Sequence, residues 1–161
     1  MILNRALTLE KAIQRAQFLC ARQERCSYDI MVKLQQWQIP TKDIEKIIAN
    51  LLENNFINNE RYANMFARDK SRFNKWGPIK IAQALRAKRI PEIIIKESIG
   101  GLELKEDDCA LIYILNKKAS SIKAKSPSDL KAKLIRFGVS RGFEYGRVIE
   151  IINKYYGEIF E

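Results

Sequence analysis

Apolar residues recur along this chain at three- and four-residue intervals, and sustained alternation of period two is almost absent, which predicts an all-α protein. Ile13, Ala16, Phe18, Leu19 and Cys20 mark a first helix over residues 9–24, opened by Thr8 as an N-cap. Ser27 is placed to cap a second helix carrying Ile30, Met31, Leu34 and Trp37. That helix stops at Ile39-Pro40, because the residue before a proline resists helical dihedrals. Ile44, Ile47, Ile48, Leu51 and Leu52 predict a third helix from Thr41. The Asn54-Asn55 and Asn58-Asn59 pairs are turn chemistry, with Asn59 as the expected cap of a fourth helix over 60–73. Trp76-Gly77-Pro78 reads as a glycine stop meeting a proline at the start of a fifth helix, 78–88. Ile90-Pro91 then interrupts the chain as Ile39-Pro40 did. Further helices are predicted over 92–99, 108–121, 128–137 and 142–156.

Nine helices in this order contain a repeat. Aligning Leu34, Leu85 and Leu134 brings Ile39, Ile90 and Val139 into register five residues later, and Ile48, Ile99 and Val148 fourteen residues later. A period near 50 implies three stacked three-helix units, with expected bounds 1–57, 58–103 and 104–161. Such units bury each other's exposed faces, and the product is an elongated tandem array.

Composition narrows the chemistry. Among 161 residues there is no histidine, so imidazole general-base, triad and zinc-finger chemistry is excluded. No P-loop, GxGxxG or nucleophile elbow appears, and neither an enzyme nor a cofactor is expected. Cys20, Cys26 and Cys109 lie in or beside apolar segments without CxxC spacing, which suggests buried thiols in the reducing cytosol. No stretch has the run of uncharged apolar residues that a membrane span needs, and no signal peptide is seen.

The net charge of +10 draws the molecule toward polyanions, nucleic acid first, and it is unevenly distributed. Residues 61–91 carry nine basic groups against Asp69 alone, and residues 109–147 form a second basic block; residues 41–60, 92–108 and 148–161 are acidic. Arg61, Arg68, Arg72 and Lys75 recur at spacings of seven, four and three, which puts them in one stripe beside the apolar face of the fourth helix. Such a stripe can follow a phosphate backbone or an acidic protein ridge, or simply be solvated. Trp37, Phe66, Phe73, Trp76, Phe137 and Tyr145 can stack on unpaired bases or fill the core; Trp76, between Lys75 and Gly77, is the one best placed to stay accessible. Glu103, Glu106, Asp107 and Asp108 can be imagined as a divalent-metal site. Asp107 or Asp108 serves equally well at the start of the seventh helix, stabilising its dipole.

The run Phe56-Ile57-Asn58-Asn59-Glu60-Arg61-Tyr62-Ala63, followed by Arg68, Arg72, Gly77, Ile81, Leu85 and Lys88-Arg89-Ile90, resembles the central motif of the RecX family. Arg25-Cys26-Ser27 to Lys33-Leu34 is similar to that family's first repeat, and Leu134 to Val139 to its third. Departures stand at Asn58-Asn59, where the family usually has an acidic pair, at Ala84 in place of Glu, and at Arg89 in place of Gly. The resemblance implies a non-enzymatic modulator in the groove of the RecA filament on single-stranded DNA, restraining strand exchange, ATP turnover and co-protease activity. It carries over Arg61, Arg68 and Arg72. Charge and helical position add Lys75, Lys80, Arg86, Lys88, Lys131, Lys133 and Arg136 as contacts to RecA or DNA. A monomer is expected, with single-stranded or duplex DNA as a further partner and no membrane.

A different reading keeps the basic units but makes the protein a stand-alone DNA binder of helix-turn-helix type. Against it, the unit-closing helices, Ile44 to Leu52 and Glu92 to Ile99, are apolar and acidic where a recognition helix needs polar groups for base edges.

Overall fold

The computed structural model describes residues 8–102 and 104–160, and among these residues it is all helix, without a strand. The elements are α1 (Leu9–Arg22), α2 (Ser27–Gln36), α3 (Thr41–Glu53), α4 (Asn59–Arg72), α5 (Pro78–Ala87), α6 (Glu92–Gly100), α7 (Leu104–Ser121), α8 (Pro127–Ser140) and α9 (Tyr145–Phe160). They form an elongated array of three-helix units, each around its own core. Ile30, Leu34, Ile47 and Leu51 centre the first, Ile81, Leu85 and Ile95 the second, and Leu111, Leu115, Leu134 and Ile152 the third.

Local side-chain caps open three of the helices. Thr8 accepts from the Lys11 N–H, Asn58 from the Arg61 N–H at 2.9 Å and Ser126 from the Asp129 N–H at 3.1 Å, each taking up a donor that the first turn leaves without a partner. Ser27 does not cap α2 and Asn59 does not cap α4, contrary to the sequence expectation. Asn59 is the first residue of α4, and its side chain caps α2 instead: Oδ1 accepts from the Ser27 N–H at 3.0 Å and Nδ2 donates to Ser27 Oγ at 3.1 Å.

The unit-to-unit register also needs correction in the third repeat. α2 and α5 each end with a left-handed residue, Gln38 (φ 58) and Arg89 (φ 56), and the next N–H returns to a leucine carbonyl, Ile39 to Leu34 and Ile90 to Leu85. In α8 the same closure uses Gly142 (φ 91), with the Phe143 N–H returning to Gly138. α8 has 14 residues where α2 and α5 have 10, so its end lies one helical turn later. Phe143, 3% exposed, therefore takes the place of Ile39 and Ile90, and Val139, assigned there from sequence, is 41% exposed. By this register Ile30, Ile81 and Leu134 are equivalent, and all three are fully buried.

Consecutive units join by one device. The start of a unit's middle helix enters the following unit, so Cys26 is packed in the second core. At the next junction the Gly77 and Ile79 N–H groups of α5 donate to the Arg141 and Gly142 carbonyls at 2.8 and 3.0 Å. Gly77 is not a left-handed helix stop; that role falls to Lys75 (φ 54). It is glycine because a Cβ there would stand 2.3 Å from the Gly142 oxygen. Of the thiols, Cys26 is buried and Cys20 half-buried, but Cys109 is exposed, contrary to the expectation of three buried thiols. Among the described residues no helix is long and apolar enough to cross a membrane.

Two substitutions test this backbone. Gly142→Ala places a Cβ 2.3 Å from Lys80 Cβ in a conformation that L residues resist, and should cost about 2–4 kcal/mol. Gln38→Gly relieves left-handed strain at an exposed turn and should gain about 1 kcal/mol. Urea denaturation midpoints measure both, with the signs opposite.

Candidate functional site

The ten cations singled out from sequence divide by what they touch. Arg61 and Lys88 close the junction between the first two units. Arg61 Nε donates to Glu24 Oε1 at 2.5 Å and its terminal nitrogens reach Asn55, while Lys88 Nζ donates to Asp29 Oδ1 at 2.5 Å. Arg89 lies beside them, holding its left-handed turn without glycine, its guanidinium 5.1 Å from the Tyr28 ring. Behind the Lys88–Asp29 pair, Tyr62 is 5% exposed, and burial, reinforced by the Asp29 charge, pushes its hydroxyl up to about 12.

Arg86 is paired within its own unit, Nε and Nη2 donating to the two Glu92 oxygens at 2.9 and 2.6 Å. Lys133 binds Asp129 at 2.7 Å and the Lys123 carbonyl at 2.9 Å, fastening the connector before α8. The Lys133 hydrogen bond, with one from the Lys125 N–H, holds the Asp129 carboxyl below its usual range. Arg136 is exposed on α8, and Lys131 is half-exposed there. Asp108 falls in the second turn of α7, not at its start, and forms a two-pronged ion pair with Arg147 of α9. Glu103 and the side chains of Glu106 and Asp107 lie outside the described residues. Among the described residues no group of three Asp, Glu, Cys or His could hold a metal.

The α4 stripe is only partly one face. Arg68 and Arg72 are exposed on the helix, and Arg68 shares with Arg61, Asn64 and Met65 a shallow depression of about 430 Å³. Lys75 lies beyond the helix end in the left-handed turn, its ammonium 5.8 Å from the Tyr113 ring of α7. Lys80 and Lys70 approach Trp76 at 4.7 and 5.0 Å, and the Phe66 ring meets it edge-on. Trp76 is thus half-buried under cations. Phe18, Tyr145 and Tyr155 are open rings elsewhere on the surface; where the second and third units meet, the open rings are Phe73, 73% exposed, and Tyr113, 55% exposed.

Those two rings border a cleft of about 450 Å³ where the two basic blocks meet, lined also by Asn74, Lys75, Lys117, Lys118, Phe137 and Arg141, with no carboxylate among the described residues of its wall. Arg141 Nη2 donates to the Asn74 carbonyl across the junction. From sequence, Phe73 is open to both stacking and core packing, and Tyr113 and Arg141 carry no assignment. The available signal was the Arg72-Phe73-Asn74-Lys75-Trp76 run, aromatics interleaved with cations at a helix end.

Comparison with known proteins completes the picture. Residues 58–99 match the family model described as RecX, second three-helix domain, and residues 106–152 match RecX, third three-helix domain. The regulatory protein RecX of Haemophilus ducreyi is 35% identical over 130 residues, 78% of this chain and 80% of that protein. The chain belongs to the RecX family. Two RecX crystal structures share its fold at 23% identity. That from Lactobacillus salivarius has a TM-score of 0.79 over 91% of this chain and 95% of its own, and another a TM-score of 0.84 over 91% and 71%. RecX relatives carry the designation of regulatory proteins, so the family is one of regulators rather than known enzymes.

The buried tyrosine gives this RecX-family chain an alkaline limit. Tyr62 titrates near 10.0 when unfolded and about 12 when folded, so its contribution is complete below pH 10 and is lost as pH rises toward 12. Urea midpoints should hold to about pH 9 and fall between 10 and 12, and Tyr62→Phe should flatten that fall.

Proposed function

We propose that this chain is a non-enzymatic cytosolic regulator that lies along the RecA nucleoprotein filament and restrains strand exchange, ATP turnover and co-protease activity. Family membership supports the partner. The observation that carries the surface is that Arg68 and Arg72, matching the family motif, are exposed on α4 and form no ion pair among the described residues, while neighbouring cations are consumed by the fold. An elongated array can touch several protomers at once, so modest contacts combine through effective concentration. Arginine guanidinium groups suit both acidic side chains and phosphates. Lys75, Lys80, Lys131 and Arg136 extend the proposed surface; Arg61, Arg86, Lys88 and Lys133 position it through their ion pairs.

RecA-catalysed strand exchange, run with and without the protein, is the direct test, and inhibition is expected. Arg68→Glu with Arg72→Glu should keep the helical circular dichroism and raise the inhibitory concentration about tenfold or more. Undiminished inhibition would remove this stripe from the mechanism. Tight, salt-sensitive duplex binding with no effect on RecA would favour the stand-alone DNA-binding reading.

A further inference from the structure

We propose that the cleft between the second and third units is a binding site for an unpaired nucleotide of single-stranded DNA, with the base stacked on Phe73 and Tyr113 and the phosphodiester held by Lys117, Lys118 and Arg141. Three observations point there independently.

The first is the pairing of ring and charge. Phe73 and Tyr113 come from different units yet border one cavity, and both expose more than half their surface to water. An exposed ring beside ammonium groups offers a base its flat face and the adjoining phosphates their counter-charges, the combination that single-strand binders use. The second is that the described residues of the wall include cations and no carboxylate. Four cations with no internal counter-charge leave the cleft electrostatically open to a polyanion. The third is the backbone of Lys75. Its left-handed φ of 54 is a conformation that glycine adopts more cheaply, yet the residue is a lysine whose ammonium lies over Tyr113 at the cleft mouth.

A cavity of about 450 Å³ is in the range that holds a small ligand. Duplex DNA keeps its bases stacked inside and would meet only the cations. An acidic peptide would likewise satisfy the charges and leave the rings without a planar partner.

The proposal stands without RecA and is tested without it. Fluorescence anisotropy with a labelled 20-nucleotide oligo-dT, an equal-length duplex and polyglutamate as competitor separates the three ligands. Phe73→Ala and Tyr113→Ala, at exposed positions, should each weaken oligo-dT binding at least about fivefold with duplex binding unchanged, and Tyr113→Phe should restore it. Lys117→Glu with Lys118→Glu should weaken oligo-dT binding and lower the slope of log affinity on log salt by about 0.7 per lost phosphate contact. Equal oligo-dT affinity in the two ring-to-alanine variants would overturn the proposal. So would polyglutamate displacing oligo-dT at equal charge concentration. Neither result would touch inhibition of strand exchange, so failure here and failure of the RecA reading are distinguishable.

Discussion

The array depends on how the middle helices of its first two units, α2 and α5, have their first N–H groups satisfied. A helix start leaves four donors without intrahelical partners, and a short helix cannot bury them unpaired. α2 finds one acceptor in the Asn59 side chain, and α5 finds two in the Arg141 and Gly142 carbonyls, all from the unit that follows. A unit in isolation would lack these acceptors. Stacking is thereby a hydrogen-bonding requirement as well as an apolar one, and it fixes the angle at which units meet more sharply than contact between smooth faces would.

The two junctions solve the same problem differently. Between the first and second units the contact is made by side chains, with Asp29 paired to Lys88 and Tyr28 beneath Arg89. Between the second and third it is made by backbone on backbone, which is why glycine stands at both Gly77 and Gly142. Closing on backbone brings the second junction close with Arg141 alone among its cations bonded across it, to the Asn74 carbonyl, and Lys75, Lys117, Lys118 and Arg141 gather around the cleft beside it without a carboxylate partner among the described residues. At the first junction the cations are consumed. A repeated fold thus yields one seam that is a charge clasp and another that is an open, positively charged mouth.

Much was legible in the chain itself. Helical order and the three-unit count follow from spacings of three, four and about fifty, because those patterns are set by helix geometry and by tandem stacking, while the family is legible in the Phe56-to-Ala63 run and the two basic blocks in the charge count. The register of the third unit was not. Leucine spacing aligned Leu134 with Leu34 and Leu85, but Val148 packs so tightly on α8 that only Gly138 fits opposite it, and the longer helix moves the turn onward.

What tertiary structure alone decided is which cations are left for a partner. Periodicity places Arg61, Arg68 and Arg72 on one helix face alike, since it is encoded within a few residues along the chain. The groups that tell them apart arrive from far away: Glu24 stands 37 positions from Arg61, Asp29 stands 59 from Lys88, and Asn74 stands 67 from Arg141. No local spacing carries such pairings. They exist only once the units have docked, and docking separates the arginines that hold the array together from those it leaves facing solvent.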